Sequence, residues 1–243
     1  MDAATRMLGK SRFNTTQWTL VCTAREDSEA GRLALADLCD AYYEPVLAFL
    51  RCELRDADAA RDAAHEFFAQ MLGGGTIDHV NQERGRFRSY LLGALKHFLS
   101  RQRESRNREK RGGGVEQVSL DAAESSAFAV PDTKASAPDR VFDHQWALAV
   151  LAHALEALRQ ECRLAGREAF FDQVKPWLTG AAAYGDQAAL AAACGMTPAA
   201  LKMAVQRLKQ RFRHCLKAEI AGTLADPGMV DEEMQCLFAA LAN

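Results

Sequence analysis

The sequence predicts an all-α protein built as two small helical domains joined by a flexible linker. Three observations carry that expectation. Apolar residues recur at helical spacing in almost every segment. No run alternates convincingly with period two, and β-branched residues are sparse. A central stretch from about Val115 to Asp139 is rich in Ala, Ser, Asp and Pro and keeps no period, as a linker does. The expected boundaries are a first domain over 10–111, a linker over 112–139, a second domain over 140–220 and a C-terminal helical extension over 221–243.

Element by element, a first helix is expected from about Thr15 to Ala24, with Thr15 or Thr16 as its cap and Trp18, Leu20 and Val21 facing inward. A longer one runs from about Glu29 to Arg55, with an apolar stripe through Leu35, Leu38, Tyr42, Val46 and Phe49. Pro45 should kink or interrupt it, because it lacks the amide hydrogen and crowds the preceding turn. A third spans about Asp58 to Leu72 and stops at Gly73, Gly74 and Gly75. The fourth, Gly85 to Lys110, packs its first half on a core through Phe87, Tyr90, Leu91, Ala94, Leu95 and Phe98. Beyond Leu99 the stripe ends, and six of the eleven residues from Arg101 to Arg111 are basic. The second domain opens with a helix from about Val141 to Arg163. A helical stretch around Glu168 to Leu178 follows.

Composition narrows the function. The chain has 243 residues, 49% of them hydrophobic, which suffices for two small cores. No stretch approaches the roughly 18 uncharged apolar residues a membrane span needs, and Met1 to Lys10 lack the apolar run of a secretory signal. A cytoplasmic protein without a membrane partner is expected. Seven cysteines, none in a CxxC pair and most inside apolar patterns, read as small buried hydrophobes of a reducing compartment. The six histidines are isolated, and HExxH, GxSxG, P-loop and GxGxxG patterns are missing. Neither catalysis nor a cofactor nor a metal is expected.

The net charge of −2 conceals a segregation. Ten basic and two acidic residues lie between Arg84 and Arg111, and six basic and no acidic residues between Gly195 and Ala218. Two basic islands on an otherwise acidic chain point to polyanion contact at two places.

The second island lies in AALAAACGMTPAALKMAVQRLKQRFRHCLK, Ala188 to Lys217. A short alanine-rich helix ends near Cys194, Gly195 makes a turn, Thr197 caps and Pro198 opens a second helix. That helix is expected to bury Leu201, Val205, Leu208, Phe212 and Leu216. Lys202, Gln206, Lys209 and Arg213 then share the opposite face at i, +4, +7 and +11. A face that served only solubility would mix both signs. In a helix-turn-helix unit the second helix enters the major groove by its first turns. Ala199, Ala200, Lys202, Met203 and Gln206 then meet base edges, and Arg207, Lys209, Arg211 and Arg213 meet phosphates or a protein partner. The helix start at Thr197 favours a phosphate.

Several segments, taken in order, carry a resemblance. DADAARDAAHEFF is similar to the region 2.2 helix of sigma factors, GRFRSYLLGALKHFLSRQRESRNREKRGGG to regions 2.3 and 2.4, and GMTPAALKMAVQRLKQRFRHCLKAEI to region 4.2. With TTQWTLV and VDEEM added, and no region 3 pattern, the plan resembles extracytoplasmic-function sigma factors of the sigma-70 superfamily over about Thr15 to Leu241. The resemblance implies a sigma region 2-like domain and a region 4-like helix-turn-helix domain. It implies docking on the clamp coiled coil of core RNA polymerase through Asp58, Asp62, His65, Glu66 and Phe67, with the flap as a second polymerase contact. It implies opening and reading of a −10 element by Arg84, Arg86, Arg88, Lys96, His97, Arg101, Arg103, Arg106, Lys110 and Arg111, and a −35 element read by the second domain. Promoter DNA is the expected ligand, and an anti-sigma protein a further candidate partner. The chain departs from the family pattern at Ala63 and His65, where Leu and Gln are usual, and at His97 and Arg101, where Asn and Asp are frequent.

Tyr90 and Phe98 sit on the apolar stripe and are expected in the core. The C-terminal stripe of Val230, Met234, Leu237, Phe238 and Leu241 predicts an amphipathic helix that either packs as a cap on the second domain, the role favoured here, or holds the protein inactive by covering a polymerase or DNA face. Two other readings stay open. One is a helix-turn-helix regulator that binds promoters without polymerase. The other is a sigma-like adaptor that binds polymerase without reading DNA.

Overall fold

The computed structural model describes residues 23, 28–72, 86–110, 137–178, 187–224 and 226–242. Among them every regular element is helical, and the protein is all-α as the periodicity requires. The elements are α1 (Glu29–Leu54), α2 (Ala57–Leu72), α3 (Phe87–Lys110), α4 (Ala137–Leu164), α5 (Glu168–Leu178), α6 (Gln187–Ala193), α7 (Pro198–Ala221) and α8 (Val230–Ala242), with a 3₁₀ turn at Pro227–Met229 before α8. The helix expected over Thr15 to Ala24 (all but Thr23), the Gly73–Gly75 stop and most of the linker lie outside the described residues.

Local chemistry sets the helix ends. Ser28 caps α1 by accepting the Gly31 amide at 3.0 Å. Arg55 closes it in the left-handed conformation at φ 56°. One Asp56 carboxylate oxygen takes the amides of Asp58 and Ala59 and opens α2. The α1 helix runs through Pro45 without interruption, so of the expected kink or interruption the interruption does not occur. The ring of Pro45 is buried, and that burial offsets the lost backbone hydrogen bond.

The chain forms two compact units. The first comprises 1–149 and 221–243, the second 150–220. The second unit is therefore an insertion in the first, and the boundary falls inside α4. The sequence places the division at 140 and sets the C-terminal extension apart. The difference has a packing cause. The opening turns of α4 bury Phe142 and Trp146, and the C-terminal segment buries Leu224, Met234 and Leu237.

In the first unit α1 and α2 pack on each other. Their core continues onto the apolar half of α3 through aromatic edges, Tyr42 on Phe87 at 5.0 Å and Phe67 on Phe98 at 5.6 Å. Tyr90 and Phe98 are buried, as the stripe implies. In the second unit the far half of α4, α5 and α7 contribute Leu158, Phe171, Val174, Leu208 and Leu216 to the core. His153 meets Glu219 at 3.1 Å, and Arg211 forks onto Glu161 at 2.6 and 2.8 Å.

Buried ionisable groups make the fold sensitive to base. Burial pushes the Tyr90 hydroxyl up to about 12. Burial first, then the nearby Glu161 carboxylate, pushes the Cys215 thiol up to about 11. A group whose folded-state value is raised supports the fold fully below its unfolded value and loses that support as pH climbs through the folded one. Stability should therefore hold to about pH 9 and fall between pH 9 and 12. The Tyr90 share is roughly 2–3 kcal/mol. Urea titrations across that range, with a Tyr90→Phe variant as control, check it: the variant should lose less.

Candidate nucleic-acid interface

In the second unit the interface starts from a turn. The short helix α6 ends at Ala193, and Gly195 sits at φ +63°. The Met196 amide returns to the Ala191 carbonyl at 2.8 Å and the Gly195 amide to Ala192 at 3.0 Å. This is the doubly bonded left-handed helix stop that glycine favours. Thr197 then caps α7, its hydroxyl accepting the Ala200 amide at 3.2 Å. Four residues thus turn the chain by 91° between α6 and α7.

The α7 helix sorts its faces much as expected. Leu201, Leu208 and Leu216 are buried, and Val205 and Phe212 are half-buried. Thr197, Ala199, Ala200, Lys202, Met203, Gln206, Arg207, Lys209 and Arg213 are all exposed. Met203 keeps 58% of its surface in solvent. Arg211 is exposed too, but it is engaged by Glu161. Behind α7 a cleft of about 370 Å³ lies against Glu161, Cys162, Phe170 and Arg207. Its central charges, Arg211 and Glu161, already satisfy each other.

In the first unit α3 carries the other basic island. Arg101, Arg103, Arg106, Arg108 and His97 are exposed. Arg103 pairs with Glu53 of α1 at 2.5 Å yet stays 59% open, so the pair contributes little. Lys96 reaches Asp139 at 2.8 Å. Arg84 and Arg111 lie outside the described residues. So does the side chain of Lys110.

Arg86 and Arg88 behave differently from the rest of the island. Their side chains are only 9% and 11% exposed. Arg86 meets Glu232 at 2.7 Å and Glu233 at 2.9 Å. Arg88 forks onto Glu233 at 3.0 and 3.4 Å, takes Asp143 at 2.5 Å and lies 4.5 Å over the Trp146 ring. Burial alone would lower the Arg88 value, but Asp143 and Glu233 outweigh it and the net shift is upward. The Asp143 carboxyl is raised by burial, with Arg88 pulling the other way. A backbone contact joins the same segments, the Phe87 amide to the Thr223 carbonyl at 3.1 Å, beside an isolated antiparallel bridge between Arg86 and Leu224. The expectation that Arg86 and Arg88 face DNA is corrected by this geometry: both are turned inward onto carboxylates. Of the alternatives for the C-terminal helix, the cap on the second domain is corrected, since α8 packs in the first unit.

No protein-family model, curated protein or solved structure matches the chain.

The α2 surface expected to meet a protein partner is partly as drawn. Asp58, Asp62, His65 and Glu66 are exposed. Asp58 pairs with Arg61. Glu66 is held by Gln70 at 2.9 Å and by Gln102 of α3 at 3.1 Å. His65 stacks on Tyr43, with the hydroxyl and ring nitrogen 3.3 Å apart. Phe67 is the correction. It is 3% exposed and packs edge-on against Phe68 and Phe98, so it serves the core. Ala63, where the family pattern has Leu, is likewise buried.

Among the described residues no group of three or more His, Cys, Asp or Glu side chains is placed to hold a metal. No single described helix is long and apolar enough to cross a membrane. The interactions that sequence reasoning misses are those of Glu233, Asp143 and Trp146. Only the VDEEM phrase hints at Glu233, and nothing in it specifies a partner.

Proposed function

We propose that the protein is a sigma factor of the extracytoplasmic-function type, a subunit that binds core RNA polymerase and directs promoter recognition and opening. The observation that carries this reading is the exposed, acid-free face of α7 beyond a 91° turn. Such a helix-turn-helix presents side chains to the major groove from the first turns of its second helix. Lys202 and Gln206 are suited to guanine and adenine edges and Met203 to a thymine methyl. Thr197 and Arg207 are suited to phosphates, which hold register without reading sequence. The open arginines of α3 (Arg101, Arg106 and Arg108) supply a second polyanion surface in the other unit. The acidic face of α2 supplies the complement for a basic partner surface on polymerase. The reading needs no catalytic group, because its work is binding energy spent on distorting a duplex.

Transcription with purified core polymerase over a genomic template pool, followed by start-site mapping, tests the proposal. Discrete polymerase-dependent starts sharing two spaced upstream elements are expected. Lys202→Ala with Gln206→Ala should blur the upstream element, because each side chain that pairs with a base edge discriminates by roughly 1–3 kcal/mol. The downstream element should stay intact. Specific promoter binding by the free protein with no polymerase-dependent starts would make it an ordinary regulator. Polymerase binding with no starts from any template would make it an adaptor.

A further inference from the structure

Behind α7, three helices of the second unit meet around the cleft of about 370 Å³. Leu158 and Cys162 come from α4, Phe170 from α5 and Leu208 from α7. Leu158, Cys162 and Leu208 are buried and Phe170 is half-buried, so much of the wall is apolar. Its charges are unbalanced, because three arginines line it with one glutamate. Arg211 and Glu161 neutralise each other. Arg167 and Arg207 are left over. Both are exposed, and among the described residues neither guanidinium makes an ion pair or a side-chain hydrogen bond. The Arg167 charge is felt on the wall itself, where it opposes the rise that burial gives the Cys162 thiol. An apolar hollow of this size with a few convergent polar groups has the form of a small-molecule site. Planar guanidinium groups take a phosphate or a carboxylate through paired N–H donors.

We propose that this cleft binds a small organic anion, a flat apolar body carrying a phosphate or carboxylate group. The body lies against Leu158, Phe170 and Leu208, which removes hydrocarbon from water on both sides. The anionic group meets Arg167 and Arg207 and neutralises the excess charge. An anion with no body gains only screened attraction at exposed arginines. A body with no charge leaves both guanidinium groups without a partner. Recognition therefore needs the two parts joined in one molecule. The site requires neither DNA nor polymerase, and so goes beyond the promoter reading. Arg207 is also suited to a DNA phosphate, which makes Arg167 the residue that isolates the cleft.

Isothermal titration calorimetry on the full chain tests this with naphthyl phosphate as the probe, and with inorganic phosphate and naphthol as its two halves. Saturable one-to-one binding of naphthyl phosphate is expected, at least about tenfold tighter than that of either half. Arg167→Gln should weaken it about tenfold, because a charge-assisted hydrogen bond is lost. Arg167 is exposed, so the variant should fold, and circular dichroism checks that it does. Equal affinity for inorganic phosphate would reduce the cleft to exposed charge, and equal affinity for naphthol to an apolar surface. Either result overturns the proposal. So does an affinity that Arg167→Gln leaves unchanged, or the lack of saturable binding. None of these results bears on the sigma-factor reading, which stands or falls on transcription with core polymerase.

Discussion

Replacing Glu233 with Ala should lower the stability of the docked C-terminal segment by about 3–5 kcal/mol. The magnitude follows from what is left behind. Arg86 and Arg88 are both nearly buried, and among the described residues Glu233 is the carboxylate they share. Removing one partner of a buried ionic cluster leaves uncompensated charge in a poorly solvated place, which costs far more than the pair is worth against a hydrophobic replacement. Asp143 still satisfies part of Arg88, and Glu232 part of Arg86, which sets the upper bound. Glu232→Ala should cost far less, because Glu232 is mostly exposed and its charge is screened by solvent. Denaturant unfolding of the two variants, followed through tryptophan fluorescence, measures the difference. Equal losses for the two would mean that Glu233 does not hold the cluster together.

The second large effect concerns the α2 surface. Charge reversal at Asp62 and Glu66, Asp62→Lys with Glu66→Lys, should reduce association with core polymerase by about a hundredfold or more and leave the fold intact. Both side chains are solvent-exposed, so among the described residues the fold loses only the two amide hydrogen bonds that Gln70 and Gln102 donate to Glu66. A charged rim opposed by its own sign on a partner surface is repelled by several kcal/mol. Pull-down of core enzyme reads the loss, and circular dichroism with thermal unfolding checks that the helices persist. Undiminished pull-down would assign polymerase contact to some other face.

Much of the fold is legible in the sequence because helices of this size advertise themselves by period and by their ends. The span 168–178 is legible to the residue. The turn at Gly195 with its Thr197 cap follows from residues whose conformational preferences agree. Two local expectations fail for a common reason. The sequence expects Pro45 to kink or interrupt α1, and no interruption occurs, while the family resemblance expects a partner at Phe67. In both cases neighbouring helices decide, and periodicity in one segment does not record its neighbours. Arg86 and Arg88 make the same point in electrostatics. Summing charge along a window counts them with the basic island, while their carboxylates arrive from α8 and the start of α4. Ion pairing over such separations leaves no mark on local composition.

Because the second unit is spliced into the first rather than appended to it, dissection of this protein has to respect two seams instead of one. A fragment stopping after α7 is a first unit with a piece of its interior missing, and its behaviour would say little about an independent module. Conversely, a single proteolytic nick at either seam leaves the two units tethered through the other. Native sizing would then miss the cut, and only a denaturing gel would separate the pieces.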